Sequence, residues 1–168
     1  MMVMVCEITM RSKKYESSRP ELLALRSGLT ERRDELVSLS AEDAMAYDLV
    51  VAAARNRKAK PGDASEKGFQ AALKHASEVP QKTAAASLKV LETAIAVAGL
   101  GIRSAKSDVG VAVHLARAGF EGAVMNVSVN LDGISDQAFV KSARERIDAQ
   151  NNQARSAARK ALEVLSAR

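Results

Sequence analysis

Ser104–Leu131 reads SAKSDVGVAVHLARAGFEGAVMNVSVNL, and its apolar residues keep to no single stripe. Val109, Val111, Val113, Leu115, Val124, Met125, Val127 and Val129 spread around a helical wheel. A helix that is apolar nearly all round packs among other helices. The run therefore predicts a helical bundle with this segment as its buried centre. Its polar and small residues divide by face. Asp108, Leu115, Gly119, Gly122 and Asn126 share one side, with Ala112 and Asn130 at its edge, and His114, Arg117 and Glu121 lie opposite. Asp108 and Asn126 are about 27 Å apart along such a helix, too far for one small ligand to touch both.

Composition agrees with a bundle. The 168 residues are 47% hydrophobic but only 3% aromatic, with no Trp, so the core is Ala, Leu and Val. Such a core suits close-packed helices better than a sheet. The length fits one domain, residues 1–168. The net charge of +5 permits a polyanionic partner. Scarce aromatics and 20 acidic residues interspersed among the basic ones count against nucleic acid. A single cysteine, Cys6, excludes an intrachain disulfide and a multi-cysteine zinc site, and its apolar surroundings make it a core residue. Met1–Val5 is too short for a signal peptide, and the apolar window Ala84–Ile102 carries Lys89 and Glu92, so no membrane span is expected. The cytoplasm is the expected compartment. The phosphate-binding loop, dinucleotide, zinc-protease and serine-elbow patterns are all missing.

Outward from the central run, Met1–Met10 reads as a helix that starts without a capping residue, hence an incomplete first helix. Arg11–Arg19 is a basic connector. Glu21–Ala54 carries a stripe at Leu22, Leu25, Leu29, Leu36, Tyr47, Val50 and Ala54. Asp43 falls on that stripe, where a carboxylate is costly unless paired. It either pairs with Arg33 or another helix, or serves a site. Asn56–Ala64 reads as a loop, and Ser65–Gly99 as a helix kinked or broken near Glu78–Val79 by Pro80. His75 lacks a second ligand at i+4, and no metal site is expected. Gly99-Leu100-Gly101 ends that helix, Ser104 or Ser107 caps the next, and Ser135-Asp136 caps a last helix, Gln137–Ala167.

Five blocks in order resemble the folate cyclodeaminase/cyclohydrolase family. SDVGVAVHLARAGFEGAVMNVSVNL is similar to its S-D-x-G-V-A … A-x-x-G-A-x-x-N-V-x-x-N-L pattern. MVCEITMRSKKY resembles the family's M-V-x-x-T-x-x-K-K-Y, and SAEDAMAYDLVVAA its D-x-x-A-[FY]-x-x-V-x-x-A. GFQAALKHASEVPQKTA resembles A-L-x-x-A-x-x-V-P-x-x-x-A, which makes Pro80 a family feature, and ISDQAF also fits. Two departures stand out. The family's Pro-Gly-Gly-Gly-Ser turn, ahead of its first helix, does not occur in this sequence, and its Gly-Asn before S-D is Gly101-Ile102.

The resemblance implies an all-α, up-and-down bundle that forms a homodimer and binds a reduced folate, with or without a polyglutamate tail, between helices. The implied reaction is hydrolysis of 5,10-methenyltetrahydrofolate to 10-formyltetrahydrofolate. The alternatives are formimidoyltetrahydrofolate cyclodeamination with release of ammonia, or a non-catalytic remnant acting as a helical interaction protein. The chemistry uses a carboxylate near a cation and a proton carrier, without metal or redox cofactor. Asp108, at a helix start where the dipole favours an anion, and Asp43 are the catalytic candidates. Lys13 and Lys14 would hold the glutamate tail, Ser107 would accompany Asp108, and Asn126 and Asn130 would bond pterin edges or bridge helices.

Overall fold

The computed structural model describes residues 1–168 as five α-helices without strands. They are α1 (Met2–Met10), α2 (Arg19–Ala59), α3 (Asp63–Leu100), α4 (Lys106–Leu131) and α5 (Gln137–Ser166). Short 3-10 turns, Lys13–Ser18 and Arg103–Ala105, precede α2 and α4. The all-α bundle is as the sequence implies.

The buried centre, however, is α3 rather than α4. It is the helix that packs against all four others. Its buried residues include Ala76, Ser77, Ala84, Ala86, Ser87, Ala94 and Ala98, small enough for neighbours to approach closely. On α4, by contrast, Val111, Leu115, Met125 and Val129 are 47–72% exposed. An apolar wheel records that a surface is suited to cover, not that this chain covers it. The most apolar window of α3 has mean hydropathy 1.4, and it sits inside the bundle. Phe120, Leu22, Leu91, Val97, Val113 and Val127 fill the main core among alanines.

Pro80 does not break α3, which runs unbroken from Asp63 to Leu100. A proline has no N–H for the carbonyl one turn earlier, here that of Ala76. The side chain of Asn130 on α4 supplies the missing donor, its Nδ2 bonding the Ala76 carbonyl at 2.8 Å. The expected Asn56–Ala64 loop shrinks to Lys60–Gly62. The Ser65 hydroxyl stitches this corner, its one proton shared between the carbonyls of Lys60 at 2.8 Å and Gly62 at 2.9 Å.

No serine caps α4. Its N-cap is Ala105, because the Arg103–Ala105 turn feeds straight into the helix. Asp136 caps α5, accepting from the Phe139 N–H at 3.0 Å. It also receives Lys74 Nζ at 2.7 Å, and that bond, with the cap, holds its carboxyl below the ordinary value. A lowered folded pKa stabilises the fold at pH above the unfolded value. The contribution is lost as pH falls from 3.8 through the lowered pKa. The gap in denaturation midpoint between the wild type and Asp136→Asn is expected to be constant at neutral pH and to close on acidification. A gap that widened in acid would contradict this linkage.

Gly101 closes α3 without a left-handed backbone, at φ −59°. Its reason is space. A Cβ there would lie 2.8 Å from the Val97 carbonyl oxygen and 2.9 Å from Val5 Cγ1. Beside it, Ile102 N–H donates to Thr9 Oγ1 at 2.9 Å, and that hydroxyl donates to the Val5 carbonyl at 2.6 Å. Together they seat α1 on the α3–α4 turn. Gly101→Ala is expected to cost about 1–3 kcal/mol through this clash, read as a lower urea midpoint. Cys6, wholly buried in α1, has its thiol pKa raised by burial and is a core residue.

Candidate active site

The site follows from how α2 and α4 sit on α3. Each packs closely on α3, but the two barely meet each other, while α1 bridges them at one end. A groove is left between them, floored by α3. Its first section, about 780 Å³, is walled by Met4 and Glu7 of α1, Leu36 and Val37 of α2, and Ala112, Leu115 and Gly119 of α4, over Thr83, Ser87 and Val90. It passes into a recess of about 270 Å³ that includes Ser40, Asp43, Pro80, Gly122 and Asn126. A third section, about 280 Å³, adds Tyr47, Val50, Ala76, Val129 and Asn130 and again contains Asp43 and Asn126. The sections share Leu36, Ser40, Thr83 and Gly119, then Asp43 and Asn126, so the groove is continuous.

The local helical period explains the wall. Ala112, Leu115, Gly119, Gly122, Asn126 and Asn130 are the face the sequence picked out on α4. Leu36, Asp43, Tyr47 and Val50 are the matching stripe on α2. The two helices run parallel, so both walls advance together from the apolar α1 end to the polar end.

Asp43 is the group that stands out. It is half-buried and has no hydrogen bond or ion pair. Arg33, the expected partner, is engaged by Asp34 at 2.8 Å, and the neighbouring Glu42 takes Lys82 at 2.7 Å. Asp43 is therefore free to meet a ligand. Asn126 is exposed beside it, also without a protein partner.

The other sequence candidates lie elsewhere. Asp108 is half-buried in the first turn of α4, has no hydrogen bond, and borders none of these sections. The face it shares extends beyond the groove: Asp108 lies one turn, about 6 Å, before Ala112, the first α4 residue of the groove, and about 27 Å from Asn126. Ser107, Lys13 and Lys14 are exposed and equally outside. Arg33 is the basic residue on the groove wall. The sequence offers Arg33 only as a partner for Asp43, and nothing local marks it as a binding group.

The sequence matches the family model described as formiminotransferase-cyclodeaminase over residues 1–149. It is 34% identical over 151 residues to methenyltetrahydrofolate cyclohydrolase of Methylorubrum extorquens, covering 86% of this chain and 71% of that one. It is 30% identical over 136 residues to formimidoyltransferase-cyclodeaminase of Sus scrofa, covering 80% of this chain but only 25% of that longer protein. The fold superposes on formiminotetrahydrofolate cyclodeaminase from Thermotoga maritima with a TM-score of 0.87 at 26% identity, covering 99% of this chain and 80% of that one. Family model, relatives and helical fold agree, and the chain belongs to the formiminotransferase-cyclodeaminase family.

Proposed function

We propose that the chain hydrolyses 5,10-methenyltetrahydrofolate to 10-formyltetrahydrofolate, with the substrate in the α2–α4 groove. The observation that carries this is the unpaired Asp43 carboxylate, which lines two adjoining sections of the groove. The substrate is a cation, and a carboxylate beside its amidinium carbon stabilises the charge. In the reaction, a water oxygen bonds to that carbon and passes a proton to Asp43. The carbon–N5 bond then breaks, N5 takes up a proton, and one proton is released to solvent overall. Positioned proton transfer of this kind is worth roughly 10²–10⁴-fold. The aromatic arm of the folate lies along the apolar section, and Arg33 on its wall suits the anionic tail.

Cyclodeamination is the second reading, favoured by the likeness to the Thermotoga maritima enzyme. In that reaction a formimino carbon bonds to the neighbouring nitrogen and ammonia leaves. A homodimer and a cytoplasmic location complete the reading: Val111 and Met125, exposed outside the groove, offer α4 an apolar contact face. Loss of methenyltetrahydrofolate absorbance on adding the protein supports hydrolysis. Ammonia release from formimidoyltetrahydrofolate, with no such loss, assigns the deaminase instead. Neither activity, with no change in melting temperature at saturating folate, leaves the non-catalytic reading.

A further inference from the structure

We infer that Pro80 and Asn130 form a device that fixes which end of an amide faces the groove, and that this sets the recognition of the pterin. The inference rests on the folate reading above. Pro80 has no N–H, so the carbonyl of Ala76 lacks its helical donor. Asn130 Nδ2 takes that place at 2.8 Å, across 54 positions of sequence. A carbonyl accepts only from the nitrogen end of an amide, so the orientation is dictated by chemistry. A flip would set oxygen against oxygen in a half-buried place.

Asn130 lines the third section of the groove together with Ala76, Asp43 and Tyr47. With Nδ2 engaged, its Oδ1 has no protein partner and is the end left for a ligand. Asp43 is kept for the reacting carbon, and Asn126 and Tyr47 adapt to either need. This end of the groove is therefore biased towards a ligand edge that donates. The aminopyrimidine edge of a reduced pterin, with its amino group and ring N–H, is such an edge. Asn130 is thus a specificity residue, and Pro80 is the positioning residue behind it.

The test compares tetrahydrofolate with its 2-deamino-2-methyl analogue by calorimetry. The wild type is expected to bind the analogue about tenfold or more weakly, the scale of a hydrogen bond lost in a partly dry site. Asn130→Ala is expected to bind both alike, whereas a general packing role would weaken both equally and keep the ratio. An unchanged ratio in Asn130→Ala overturns the inference. If that variant does not fold, the wild type decides: its Asn130 side-chain ¹³C resonance should shift with tetrahydrofolate and not with the analogue, and equal shifts overturn the inference.

The amide lock has its own measurement, independent of folate. Pro80→Ala restores an N–H for the Ala76 carbonyl, so Asn130→Ala should lower the melting temperature less in that background than in the wild type. An equal loss in both backgrounds refutes the lock. Failure of tetrahydrofolate to bind the wild type, with the lock intact, refutes the folate reading and the pterin assignment together.

Discussion

Asp43→Asn is expected to lower kcat for methenyltetrahydrofolate hydrolysis by about 10²–10⁴-fold while leaving the melting temperature almost unchanged. Both halves follow from geometry. The carboxylate makes no ion pair or hydrogen bond within the protein, so an amide of the same shape removes no structural contact. It faces the groove, so the charge opposite a cationic substrate and the proton acceptor vanish together. KM should rise as well, because the substrate is already cationic before reaction. Asp108→Asn is the control, expected to leave kcat within a fewfold of wild type since Asp108 stands outside the groove. Stopped absorbance traces with both variants decide it: a larger loss in Asp108→Asn would move the chemistry to the other end of α4.

The second large effect has opposite signs on stability and binding. Glycine inside a helix costs about 0.5–1 kcal/mol relative to alanine. Gly122 sits inside α4, yet a Cβ there would meet nothing within 4 Å. At Gly119 the nearest atom would be Ser87 Oγ at 3.5 Å, an ordinary contact. Neither glycine is demanded by the packing of this chain, and both line the groove. Their bare backbone gives a planar ring a flat place to lie. Gly122→Ala should therefore raise the melting temperature by a few degrees and raise KM for the folate at least tenfold. A stabilised variant with unaltered KM would show that α4 is not touched by substrate there.

The sequence carried a good part of the groove. Helical period alone places Ala112, Leu115, Gly119, Gly122, Asn126 and Asn130 on one face, whatever the tertiary arrangement. Asp43 was conspicuous because a carboxylate interrupted an apolar stripe. What periodicity lacks is the position of the neighbours. It could not show that α3, not α4, takes the middle, since that depends on α2, α4 and α5 all seating on its small residues. Nor could it show which end of the α4 face is roofed by α2, and so Asp108 shared a face with residues whose groove it does not reach. The Pro80 break was expected from local chemistry, and the remedy comes from Asn130, far along the chain. Lys13 and Lys14 were read by charge, and charge does not reveal the direction of a short 3-10 turn.

The order of packing has a kinetic corollary. From α2 onward each helix lies against its immediate chain neighbour, so most of the bundle assembles through short-range encounters and little loop entropy. The longest reach is that of α1, whose Thr9 joins the amide of Ile102 across 93 positions. Early packing among the long helices, with the α1 contact to Ile102 formed last, is the expected order. A ribosome would have to deliver everything through Ile102 before the first helix found its berth.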